Sequence, residues 1–238
     1  IAETTVPPAP LLRGYGLYGA LLADVGDVDL AIDIGQRAVR LAEQTGSSWR
    51  HALALNDLSW YYQRAAQLER GQQINNEALT EALRDPGPMQ LYAVYTNRSI
   101  LFGDEQDKRV ATEAHEATLR YARESGSAGL LALALGNYAD FNLRLGNPAK
   151  ALQLATQALP LARDARDLST EILALHNAGI AKIALRRVEE GKRDVRQAIA
   201  MDEKQGALRY AADGWEELGS YLEKAGDLSG AIEADLQY

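Results

Sequence analysis

Three columns of small residues, each recurring at a step of 40, constrain what this 238-residue chain can fold into. One column is Ala31, Gly71, Ala111, Ala151, Gly191 and Ala231. A second precedes it in each copy, at Gly19, Ser59, Ser99, Ala139, Gly179 and Gly219, and a third follows it at Ala38, Ala78, Thr118, Ala158 and Ala198. Small residues held in one register mark places where helices approach too closely for larger side chains. A complementary column, Tyr15, Leu55, Tyr95, Leu135, Leu175 and Trp215, supplies bulk to fill the space beside those contacts.

The repeating unit is clearest between Leu135 and Ala162, where two helical patterns flank Gly146-Asn147-Pro148. Glycine can take the left-handed conformation that ends a helix, asparagine can accept from free N–H groups, and proline fits the first position of the next helix. The unit is therefore an antiparallel helical hairpin, and one this short needs neighbours to bury its apolar face. Similar turns are expected at Gly26-Asp27, Gly103-Asp104 and Gly226-Asp227, with less obvious ones near Ala66 and Arg186. Connections between hairpins fall near Gly46, Asp85 to Pro88, Ser125 to Ser127, Asp164 to Ser169, and Gln205-Gly206. No strand-like alternation is sustained. The expected fold is all-α, a right-handed superhelical solenoid of stacked antiparallel helical hairpins with first helices on the concave face. Residues 1–10, with their paired prolines, read as a linker or cap, and residues 11–238 as an array of about six hairpins. The last is cut short at Tyr238, and the chain starts without Met, so it is expected to be a piece of a longer protein.

Charge narrows the partners. A net charge of -8 argues against a phosphate-binding surface, which needs clustered Lys and Arg, so nucleic acid is not an expected partner. The absence of Cys removes disulfides, thiolate nucleophiles and Cys-zinc sites, and leaves cytoplasmic and periplasmic locations both open. No apolar run is long enough to span a membrane, and Ile1 to Pro10 lacks the regions of a signal peptide.

The segment Trp215-Glu216-Glu217-Leu218-Gly219, followed by Gly226 and Ala231, resembles the opening of a tetratricopeptide repeat. Leu55, Leu58, Ser59 and Tyr62 give the pattern with substitutions, as do Leu135, Tyr138 and Ala139, and the resemblance covers residues 11–238. The family repeat is about 34 residues, whereas the columns here recur at 40, which implies longer helices. A HEAT-type solenoid also suits that period, but the small columns and Gly-Asp or Gly-Asn turns favour the tetratricopeptide reading. The run from Asn177 to Gly191 resembles, more weakly, the sensory repeat regions of bacterial diguanylate cyclases.

Catalytic and cofactor motifs find little support. Gly14-Tyr15-Gly16-Leu17-Tyr18-Gly19 fits the dinucleotide pattern, but it follows prolines rather than a strand and shares Gly19 with a packing column. His51, His115 and His176 lie in different hairpins without metal-ligand spacing, so no metal or cofactor is expected. Asn97-Arg98-Ser99 matches a glycosylation sequon inside a helix and is read as accidental.

The functional signal is a polar column on the first helices: Asp57, Asn97, Asn137 and Asn177. The family resemblance implies that such side chains hold the backbone of an extended peptide, a task suited to an amide that both donates and accepts. The other reading has these amides bridging neighbouring helices. Further groove candidates are Asn56, Trp60, Arg64, Ile100, Asp140, Arg144, His176 and Ile180, with Trp60 a possible anchor and the arginines suited to acidic partners. The basic clamp by which some family members hold carboxylate tails is largely missing. The expected function is a non-enzymatic scaffold binding a peptide or protein segment in a concave groove. The competing expectation is a sensor or homodimerisation region of a larger bacterial signalling protein, such as a diguanylate cyclase or histidine kinase.

Overall fold

The structure, a computed structural model, describes residues 8–103 and 108–238. Twelve α-helices and no strand occur among the described residues. They divide into two compact units, 1–125 and 126–238. The first unit holds α1 (Pro8–Asp24), α2 (Val28–Gln44), α3 (Ser48–Arg64), α4 (Leu68–Ala82), α5 (Pro88–Leu101) and α6 (Lys108–Glu124). The second holds α7 (Ala128–Arg144), α8 (Pro148–Ala165), α9 (Leu168–Ala184), α10 (Val188–Gln205), α11 (Leu208–Ala225) and α12 (Leu228–Asp235). In each unit successive helices pair as antiparallel hairpins, and the first helices of adjacent hairpins also pack together, α1 on α3 on α5 and α7 on α9 on α11.

The helix α1 begins at Pro8, ahead of the boundary that the prolines suggest in the sequence. Proline at the opening of a helix sacrifices only an N–H that would lack an intrahelical partner anyway.

Every residue of the three small columns is buried. The first two columns face each other inside the α3–α4, α9–α10 and α11–α12 hairpins. A Cβ added to Gly179 would lie 2.8 Å from the carbonyl oxygen of Gly191, and one added to Gly71 would lie 3.1 Å from that of Ser59. Adjacent helices thus touch backbone to backbone, which only glycine, alanine and serine permit. Larger side chains, among them Leu58, Tyr61 and Tyr62 in the first unit and Ile172 and Leu175 in the second, build the core beside these contacts.

Left-handed residues end many of the helices. Gly26, Gly46, Gly126, Gly146, Gly206 and Gly226 have positive φ, and so do Ala66, Arg166 and Arg186. The hairpin turns expected near Ala66 and Arg186 therefore exist without glycine. Asp27, Asn147 and Asp227 each return their backbone N–H to a carbonyl five residues back, at 2.9, 2.8 and 2.9 Å, closing the same motif. Asn147 departs from expectation in one respect: its side chain caps no N–H of α8, whereas that of Asp227 accepts from Gly230 at 3.0 Å. The turn expected at Gly103-Asp104 falls partly outside the described residues.

Candidate interaction surface

The polar column splits between two environments. Asn97, on α5, is 6% exposed, and its amide nitrogen donates to the backbone carbonyl of Asn56 at 3.0 Å and to Ser59 Oγ at 2.6 Å. Asn177, on α9, is 3% exposed and donates to the carbonyl of Gly136 at 3.0 Å. In both cases an amide on one first helix bonds the backbone of the preceding first helix, so these two side chains bridge neighbouring hairpins. Asp57 and Asn137, half-buried, keep part of their surface open. Ile180, expected in the groove, lies wholly inside the core because the face of α9 it occupies is covered on all sides. Ile100 is exposed, Trp60 packs on the core around Leu58 and Tyr61, and Arg64 lies over the Trp60 ring at 6.0 Å.

In the second unit three expected residues come together on successive first helices. Arg144 donates to Asp140 at 3.2 Å on α7, and His176 on α9 meets Glu217 on α11 at 2.8 Å. Burial and the charge of Glu217 push the Asp140 carboxyl up against the pull of Arg144 and His176. Burial also works to raise Glu217, but the hydrogen bond and charge of His176, with Lys224, hold it below the ordinary range. Beside this row is a cavity of about 410 Å³ lined by Ile172, Leu173, His176, Asp202, Tyr210 and Asp213, among others. Burial raises the Asp202 carboxyl, and His176 opposes it.

The first unit has a cavity of about 480 Å³, also on first helices, lined by Leu12, Arg13, Gly16, Leu17, Leu53 and Asp57, with Trp49 and Arg50 beside them. Burial raises Asp57 to about 6, against a hydrogen bond from the side chain of Asn56. Tyr61 is raised by burial and by the Asp57 charge, and its hydroxyl donates to the Gly16 carbonyl at 3.2 Å.

Glu217, Asp202, Arg13 and Arg50 were not read from the sequence as site residues. The signal for Glu217 is a step of 41 rather than 40: Asn97 to Asn56, Asn177 to Gly136 and Glu217 to His176 all span it. Helical side chains lean toward the N-terminus, so a residue covers a spot about one position before its own. No helix among the described residues is long and apolar enough to cross a membrane, and no group of three or more His, Asp or Glu among them could hold a metal ion. The Gly14-x-Gly16-x-x-Gly19 run lies entirely within α1, with Gly19 packed on the Tyr61 ring, which removes the strand that a dinucleotide site requires.

These stacked hairpins and their paired first helices define a tetratricopeptide-like helical repeat fold. A signal transduction ATPase of Pyrococcus horikoshii with a tetratricopeptide repeat sensor superposes with a TM-score of 0.76 at 15% identity, over 95% of this chain and 36% of that one. This chain thus spans about a third of the length of that protein. A kinesin light chain protein of Podosopora anserina with nearly identical TPR-like repeats gives 0.66 at 15% identity, over 84% and 98% of the two chains. A Rap protein complexed with competence and sporulation factor gives 0.59 at 14% identity, over 99% and 76%. No protein-family model and no curated protein matches the sequence. Nothing in these comparisons supports the resemblance to diguanylate cyclases.

Proposed function

We propose that this chain is a non-enzymatic interaction module that holds a peptide or protein segment against the first helices of its hairpins. The observation that carries this reading is the row Asp140, His176 and Glu217, supplied by three successive first helices beside an open cavity. An extended chain lying across those helices meets one polar group per hairpin, and a rigid stack lowers the ordering needed to bind it. Carboxylates predominate at this row, which favours segments carrying Lys or Arg. Asp57 and Asn137 remain candidate contacts, as do Asn56, Trp60, Arg64, Ile100 and Arg144. The Rap protein solved with a bound factor adds support by fold alone.

The test is selection from a random-peptide display library on the whole chain, with affinities of the enriched peptides measured by fluorescence anisotropy. Enrichment of basic peptides is expected, with binding about ten-fold weaker in the Asp140→Asn, Asp213→Asn double variant. No enrichment over bare matrix, or affinity indifferent to both substitutions, would sink the reading.

A second reading is favoured by one surface. Leu228, Ile232 and Leu236 of α12 and its end are all exposed and lie on one side of the helix. Such an apolar face suits packing within a larger signalling protein or against a second copy. Solution mass across a dilution series separates these, since a monomer at every concentration argues against self-association.

A further inference from the structure

The cavity of the first unit contains a need that its own residues leave unmet. Its wall is largely apolar, formed by Ala9, Leu12, Leu17, Leu53 and Ala54, yet Asp57 is set among them. No cation among the described residues pairs with this carboxylate, and its hydrogen bond comes from the neighbouring Asn56 amide. The Asn56 Oδ1 is itself buried without a hydrogen-bond partner among the described residues. Opposite them, α1 brings Gly16 so close that an added Cβ would sit 3.2 Å from Asp57 Oδ2. At the equivalent positions 97 and 177 an asparagine donates to the carbonyl 41 residues back. An ionised aspartate has nothing to donate, and the carbonyl 41 residues back, that of Gly16, accepts from the Tyr61 hydroxyl instead, so the Asp57 carboxylate and the Asn56 Oδ1 are the acceptors left short of a donor here.

A metal ion is poorly matched, because the single carboxylate and apolar wall give too few oxygen ligands. An ammonium carried on an apolar body suits both features: it brings three donors and a positive charge to Asp57, and its body covers the leucines. The remaining charges point to a peptide as the bearer. Arg13 and Arg50 also line the cavity, with Arg50 stacked on Trp49 at 5.1 Å. They oppose a bare amine and attract the carbonyls and carboxylates that follow a peptide's first residue.

We propose that this cavity holds the N-terminal residue of a peptide, with its ammonium against Asp57 and its apolar side chain among Leu12, Leu17 and Leu53. The proposal rests on the interaction reading above and gives it a chemistry in the first unit.

The experiment uses the whole chain and a C-terminally dye-labelled tetrapeptide beginning with leucine, its N-acetylated twin, and phenethylamine as competitor, read by fluorescence anisotropy. The free-amine peptide is expected to bind, the acetylated twin about ten-fold or more weakly, and Asp57→Asn to weaken the free-amine peptide about ten-fold while leaving the acetylated one unchanged. Circular dichroism of the variant checks that the fold is kept. Equal binding of both peptides overturns the proposal, and so does phenethylamine binding, measured by isothermal titration calorimetry, where the tetrapeptide fails, which would assign the site to small amines. If library peptides bind and acetylation changes nothing, the ammonium assignment falls while the interaction reading stands; if no peptide binds at all, both fall.

Discussion

Asn177 donates its side-chain amide to the backbone carbonyl of Gly136, 3.0 Å away on the preceding first helix. In the other unit Asn97 makes the same bond to Asn56. Removing either amide leaves a carbonyl and a cavity in a buried seam, which typically costs about 1 to 3 kcal/mol. Asn97→Ala and Asn177→Ala are each expected to lower the urea midpoint by that equivalent. Unchanged stability with weakened peptide binding would return these residues to the ligand.

A second expectation sets two effects against each other in one pair of variants. Alanine replacing glycine inside a helix ordinarily stabilises by about 0.5 to 1 kcal/mol. Gly14 has nothing within 4 Å of an added Cβ, so Gly14→Ala should gain that amount. Gly179→Ala places the methyl 2.8 Å from the Gly191 carbonyl and forces two backbones apart. The overpacking, about 1 to 3 kcal/mol, outweighs the propensity gain. Thermal denaturation should therefore move in opposite directions for the two, and a rise for both would mean the α9–α10 contact yields freely.

The fold was legible in the sequence because backbone contact tolerates few residue types, and Gly179 and Gly191 advertise such a contact wherever they recur. The site was less legible for a geometric reason. A step of 40 finds equivalent residues, but touching residues on neighbouring first helices are 41 apart, as His176 and Glu217 are. Nor does a column of amides reveal which way each amide turns. Asn97 and Asn177 satisfy a neighbour's carbonyl, while Asp57 in the same column cannot. Ile180 shared a face with polar residues in sequence, yet packing on every side of α9 buries it.

Ala66 closes the turn between α3 and α4 with φ of 56°, where its Cβ crowds the backbone. Left-handed conformation costs a residue with a Cβ roughly 1 to 2 kcal/mol, partly offset by the larger freedom glycine has in the unfolded chain. Ala66→Gly is expected to stabilise by about 0.5 to 1 kcal/mol in chemical denaturation. Its exposed position leaves no packing to lose. A neutral or negative result would show that the turn is not strained.

The last expectation concerns pH and Asp57. Its carboxyl is raised from an ordinary 3.8 to about 6 by burial, against the Asn56 hydrogen bond. The folded chain therefore holds this proton more tightly than the unfolded chain does. Its contribution to stability is full below about pH 4 and is lost as pH rises through about 6, up to about 3 kcal/mol in all. Asp57→Asn removes the titrating group and supplies the amide that positions 97 and 177 use to bond the preceding helix. The variant is thus expected to be more stable than the parent at about pH 8, with the difference shrinking toward about pH 4. Carboxylates held low, such as Glu217 and Asp227, act in the opposite sense but equally in both proteins, so they cancel in the difference. Urea denaturation at several pH values measures it, and equal stabilities at high pH would mean that the ionised carboxylate is already neutralised where it sits.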